Sequence, residues 1–238
     1  MASGYAAGAI REQTTSLVEI RPLLRNVYLW MCLGLVVTAV SAYFTITSRA
    51  LLNLLMSPFW TWGIFFLQLM LVATLAGAIF RLSVPAAGVI FIAYSALTGF
   101  SLSLLVLHYG LGTLVPAFVT TAALFGTMTI AATVTRVDLT RTGTYAFMAL
   151  IGLLIAMIVN IFIQSAEFDL VISVVGVIIF TALTAADTQK IQQWAADPTV
   201  AARGNDVMAR LSILGALTLY LDFLNLFIFL VRIFGRNR

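Results

Sequence analysis

Charge is what this sequence has least of. Only 9% of the residues are Asp, Glu, Lys or Arg, whereas 62% are hydrophobic and the mean hydropathy is +1.07. Soluble domains carry roughly 25% charged and about 45–50% apolar residues. A chain this short cannot hide so much apolar surface from water, so lipid is the expected solvent. Cysteine is nearly absent too. Cys32 is the only one, which excludes an intrachain disulfide and a thiolate metal cluster. Cys32 reads as a small lipid-buried residue of a first span. Histidine is also single, and His108 has no second His or Cys with which to build a zinc site. No P-loop, GxSxG or HExxH pattern occurs. The formal net charge of +4 comes without a basic run interleaved with aromatics, so it reads as membrane topology rather than nucleic-acid binding. The first 25 or so residues carry Arg11, Glu12, Glu19, Arg21 and Arg25 and lack an apolar core, so no cleaved signal peptide is expected.

What is present in abundance is long apolar runs. A membrane-spanning helix needs about 20 mostly apolar residues. Seven segments qualify: 26–47, 59–80, 84–107, 112–135, 143–165, 169–193 and 210–234. Short connections with Pro, Gly or charge separate them, the longest at about 194–209. The expected organisation is a polar cytoplasmic segment over residues 1–25, followed by one seven-helix transmembrane domain over 26–238. The expected fold class is an all-α integral membrane bundle; the unbroken apolar runs exclude a β-barrel. With the N-terminus in the cytoplasm, nine Lys or Arg residues fall on the cytoplasmic side and four on the other, so N-in is the expected orientation. The basic C-terminus, with Arg232, Arg236 and Arg238, argues the other way.

Small residues recur at four-residue spacing: Gly34, Thr38 and Ala42; Ser95, Gly99 and Ser103; Ala73 and Gly77. In lipid this spacing lets helix backbones approach closely, within one bundle or across a homodimer seam. Asn160, Gln164 and Asn225 are expected to bond between helices. Glu167 and Asp169 suit a helix start. Trp60, Trp62 and Trp194 fit interfacial positions.

Two aspartates lie inside these apolar runs, Asp187 in the sixth and Asp222 in the seventh. A carboxylate at the bilayer centre costs about 2.5–3.5 kcal/mol on insertion scales and is kept only if it faces protein or water. Asp187 sits roughly 10 Å from the end of its span at Trp194, and Asp222 about 12 residues into the last span. Arg81 closes the second span on the same side. Two carboxylates about 4 Å apart, at an effective dielectric near 20, repel by about 4 kcal/mol. Such a pair shares a proton at moderate pH and is doubly charged when alkaline. Doubly charged, it attracts a hard cation. Calcium takes six to eight oxygens, of which two carboxylates supply at most four. Arg81 would instead neutralise one acid. These alternative states of Asp187, Asp222 and Arg81 are what a gate requires.

At these residues the chain resembles a known family. SILGALTLYLDFLNLFIFLVRIFG, from Ser212 to Gly235, is similar to the signature last helix of the Bax inhibitor-1 family, also called the transmembrane Bax inhibitor motif or YccA family. GVIIFTALTAADTQKI, from Gly176 to Ile191, resembles its sixth helix, where Tyr-Asp-Thr-Gln is usual and Ala186 here replaces the tyrosine. YLWMCLGLVVTAVSAYF, YSALTGFSLS and FMALIGLLIAMIVNIF also fit. The resemblance runs from about residue 20 to the end and looks closest to short bacterial inner-membrane members.

The resemblance implies seven helices with the last one central, and a pH-sensitive calcium leak. It implies that Asp187 and Asp222 are the pH sensor, with transient calcium contact, and that Arg81 is the ion-pair partner of the helix-six acid. A helix-two glutamate of some members has no counterpart, because Gln68 and Met70 stand nearby. Some bacterial members are partners or substrates of a membrane protease, so a non-conducting regulator of other membrane proteins is the alternative. No resident cofactor is implied. Paired aspartates also describe intramembrane aspartyl proteases. Those carry Gly-x-Gly-Asp where this chain has Leu219-Tyr220-Leu221-Asp222, so the expectation is not an enzyme.

Overall fold

A computed structural model describes residues 2–135 and 137–236, with side chains from residue 22 onward, residue 201 excepted. No strand occurs among the described residues. Among the described residues nine α-helices follow in order: α1 (Ala2–Thr47), α2 (Arg49–Met56), α3 (Pro58–Ala78), α4 (Val84–Tyr109), α5 (Leu111–Val134), α6 (Thr140–Ile163), α7 (Ala166–Ala196), α8 (Pro198–Ala202) and α9 (Asn205–Gly235). A 3-10 turn, Ile79–Arg81, ends α3. Seven of these segments are long and apolar enough to cross a membrane, beginning with Pro22–Thr47 and ending with Asn205–Gly235. All seven expected spans are present. The side chains of the polar segment expected over 1–25 fall mostly outside the described residues. The near end is taken here as the end at which α1 enters the bundle at Pro22. The far end carries the α1–α3, α4–α5 and α6–α7 connections.

Local chemistry sets the helix ends. Pro58 and Pro85 stand in first turns, where a missing N–H costs nothing. The hydroxyls of Ser48, Ser83 and Ser165 accept from the backbone N–H groups of Leu51, Ala86 and Phe168. Glu167 and Asp169 lie in the first turn of α7, where acids suit the helix dipole. Gly204 precedes α9 with φ +91°, a conformation that side-chain-bearing residues rarely adopt.

The last helix is central. Of its most apolar 18 residues 67% are buried, against 17% for α3 and 11% for α6. It packs chiefly on α7, α1, α5 and α4, while α3 leans on α4 and α6 leans on α7. The exposed faces are strongly apolar, with Phe162 82% and Phe59 78% exposed, as lipid contact requires. Glycines set the closest approaches. A methyl added at Gly99 would fall 2.2 Å from the Thr38 carbonyl oxygen, and one at Gly34 would fall 2.7 Å from the Phe91 ring. The spaced small residues of α1 and α4 therefore pack the two helices together. Gly77 faces open space, so its pair with Ala73 makes no such seam.

The expected interhelical role of the polar amides does not hold. Asn160 Oδ1 accepts from the backbone N–H of Ser165, and Asn225 Nδ2 donates to the Leu221 carbonyl in its own helix. Gln164 ends α6 in the left-handed region at φ 53°. Asn160 and Asn225 each find a nearby backbone partner, which costs less ordering than reaching across to another helix.

Candidate functional site: facing carboxylates on α7 and α9

Two contacts fix the register of α7 against α9. A methyl added at Gly215 would meet Ile191 Cδ1 at 3.2 Å, and one at Gly176 would meet the Phe229 ring at 2.7 Å. The helices therefore run antiparallel, with Ile191 level with Gly215 and Gly176 level with Phe229. Asp222 lies about two turns from both Gly215 and Phe229, so it points at α7. Asp187 lies about one turn from Ile191 and about three from Gly176, so it is on the stripe that faces α9. Interpolation puts Asp187 level with Thr218 and Leu219. The two acids are offset by ~5 Å along the axis, at about 1.5 Å per residue. Their carboxyl groups are within coulombic reach of one another.

The two environments differ. Asp222 is 5% exposed, and its Oδ2 has no hydrogen-bond partner. It lies where two apolar clusters meet, one around Leu217, Leu219 and Phe223 and the other around Leu226 and Phe229. Asp187 is partly buried and lines a cavity of about 550 Å³ between α6 and α7 with Thr140, Gly143, Thr144, Lys190 and Trp194. The Lys190 ammonium lies 5.6 Å from the centre of the Trp194 ring, about one turn beyond Asp187 toward the near end. Asp187 thus has a cation in its field and a polar cleft beside it; Asp222 has neither.

Arg81 is exposed at the end of the 3-10 turn and pairs with neither acid. The reason is its level in the bundle. Arg210 Nη1 donates to the carbonyl of Phe80 at 2.9 Å, tying this turn to the base of α9. Arg210 precedes Asp222 by about 12 residues, or ~18 Å of helix, which exceeds the reach of an arginine side chain.

Three further hydroxyls belong to this neighbourhood and carry no sequence signal. Tyr28 of α1 approaches the hydroxyls of Thr129 on α5 and Thr188 on α7. Neither threonine oxygen reaches hydrogen-bond geometry with any partner. Threonines in apolar helices usually donate to a carbonyl one turn back, as Thr121 and Thr184 do. Only the packing separates the unpaired pair from the satisfied ones. Gln68, which stands near the position of the family's helix-two acid, donates to the Ser101 hydroxyl at 3.3 Å.

Among the described residues no group of three His, Cys, Asp or Glu side chains comes together. A cation at Asp187 and Asp222 would need hydroxyl, carbonyl or water oxygens besides the two carboxylates.

Fold and site together define a seven-helix integral membrane protein with an acidic pair between its central helix and the neighbouring one. The family profile described as "Inhibitor of apoptosis-promoting Bax1" matches residues 20–238. The chain belongs to this family, the Bax inhibitor-1 family. It is 39% identical over 220 residues to the inner membrane protein YbhL of Escherichia coli K12, covering 92% of this chain and 93% of that one. It is 38% identical over 226 residues to an uncharacterized protein of Deinococcus radiodurans, covering 95% of each. It is 37% identical over 227 residues to an uncharacterized membrane protein of Streptococcus pyogenes serotype M6, covering 94% of this chain and 96% of the relative.

Proposed function

We propose that this protein is a pH-sensitive cation leak pathway, with calcium as its ion and Asp187 and Asp222 as its gate. One observation carries the reading: Asp222, on the central helix, keeps a buried carboxyl oxygen without a partner, and the register of α7 against α9 brings Asp187 to about one turn from its level. A carboxylate held for stability alone would be bonded or paired. Proton uptake by the pair removes its mutual repulsion and its attraction for a cation. Proton loss restores both, and the central helix is the element that feels the change. Arg81 is the proposed partner of Asp187 in another state, reached by a slide of the end of α3 along α9. The N-terminus is proposed to face the cytoplasm, as the Lys and Arg count favours.

The test is calcium flux into proteoliposomes over a pH series, for the wild type, Asp187→Asn and Asp222→Asn. Wild-type flux that depends on pH, together with loss of that dependence in both variants, is the expected result. Absence of flux, or a pH profile unchanged by both substitutions, overturns the proposal.

A further inference from the structure

A second cavity lies in the far half of the bundle, on the side of α9 that faces away from Asp222. It measures about 240 Å³ and is walled by α1, α4, α5 and α9, among them Leu35, Ala42, Leu102, Phe118, Phe223 and Phe227. Its only polar side chains are Thr38 and Tyr43. The Thr38 hydroxyl is already engaged, 2.8 and 3.1 Å from the carbonyl oxygens of Gly34 and Ser95 and 2.6 Å from the Tyr220 hydroxyl. Water entering here would find no free partner at the floor, and apolar cavities of this kind stay dry and take apolar guests.

The mouth opens on the lipid-facing surface. Tyr43 of α1 is 63% exposed, and Leu111 and Phe118 of α5 are 69% and 47% exposed. The inner wall is different: Phe223 and Leu224 are 4% and 6% exposed. The cavity is therefore continuous with the protein–lipid surface at one end and reaches the central helix at the other. We propose that it holds one acyl chain of a bilayer phospholipid. Such a chain fills the space behind Phe223 and Phe227 and braces α9 against α7, whichever ion the protein passes. The proposal stands apart from the leak reading, since it needs neither flux nor titration.

The full-length protein is reconstituted in vesicles of phosphatidylethanolamine and phosphatidylglycerol doped with a phospholipid that carries a diazirine at one acyl terminus. After illumination, adducts are mapped by peptide mass spectrometry. The expected adducts fall on Phe223 or Leu224, which lipid outside the cavity does not reach, as well as on exposed residues such as Phe162. Ala42→Phe, which fills the cavity, is expected to lose the inner adducts and keep those at Phe162. Leu102→Phe fills the same space from the α4 wall and serves if Ala42→Phe does not fold. Adducts confined to exposed residues overturn the proposal, as does inner labelling that persists in a folded filled variant. A parallel sample with a diazirine free fatty acid, competed by unlabelled phospholipid, tests the source. Inner labelling that phospholipid does not displace overturns the assignment to a phospholipid chain.

Discussion

Among the described residues, two charged pairs inside the apolar segments are built on opposite rules. Asp169 and Arg232, near the far end, are opposite in sign. Arg232 Nη1 lies 3.2 Å from Asp169 Oδ1, with side chains 29% and 41% exposed. Asp187 and Asp222 are alike in sign, lie deeper, and leave Asp222 Oδ2 without a partner. The far pair satisfies electrostatics, ties the start of α7 to the end of α9, and is extended by Arg236 donating to the Ala166 carbonyl. It needs no explanation beyond holding a helix junction together. The deep pair works against the fold, since like charges in low dielectric repel and an unbonded buried oxygen costs stability. A feature that costs stability and persists is the one to examine for function.

If this contrast is right, removing the charges has opposite effects at the two places. Asp222→Leu, which substitutes an apolar side chain for the orphaned carboxyl, should stabilise the protein by about 1–3 kcal/mol. Unfolding in mild detergent measures it. A lowered midpoint would mean that Asp222 is satisfied in a way the facing stripes do not account for, and the contrast would fail.

A neutral buried contact provides the middle case. Tyr220 is buried and its hydroxyl lies 2.6 Å from that of Thr38, linking α9 to α1. Tyr220→Phe should cost about 1 kcal/mol in the same assay. Thr38 keeps its carbonyl contacts to Gly34 and Ser95, so the loss stays below that of a fully orphaned group. A stabilised variant would break the rule that satisfied polar contacts here hold the bundle.

For the far pair the loss should be smaller again. Both partners are partly exposed, so Arg232→Met should destabilise by at most about 1 kcal/mol. The effect should shrink as salt is added. A double-mutant cycle with Asp169→Asn checks it: a coupling energy that is near zero, or that ignores ionic strength, would remove the far pair as a structural tie.

The sequence reveals these places unevenly, for physical reasons. Lipid demands about 20 apolar residues per span, so the seven spans are readable as composition alone. α2 is not, because its eight residues are too short to register as a span. The first turns of α9 escape as well. They open on Asn205 and Asp206, lie outside the expected 210–234, and begin where Gly204 adopts positive φ. Asp187 and Asp222 stand out because charge in an apolar run is costly. That they face each other does not, since it rests on how Gly176 and Gly215 admit Phe229 and Ile191. The unpaired hydroxyls of Thr129 and Thr188 are likewise written only in the packing.

The last and smallest effect comes from an acid outside the membrane, where the contrast should vanish. Asp138 precedes α6 and is fully exposed; its carboxylate accepts from the backbone N–H of Thr140 at 3.0 Å and from the Thr140 hydroxyl. The hydroxyl bond above all, then the backbone bond, holds the Asp138 carboxyl below its usual value of 3.8. A depressed folded-state pKa means stability that is present above the usual carboxylate range and is lost as pH falls through the lowered value. Asp138→Asn should therefore weaken the start of α6 slightly at neutral pH, and the difference from wild type should close on acidification. Hydrogen exchange over residues 140–144, followed across that pH range, reads it locally. Equal protection of wild type and variant at neutral pH would show that this exposed turn contributes nothing.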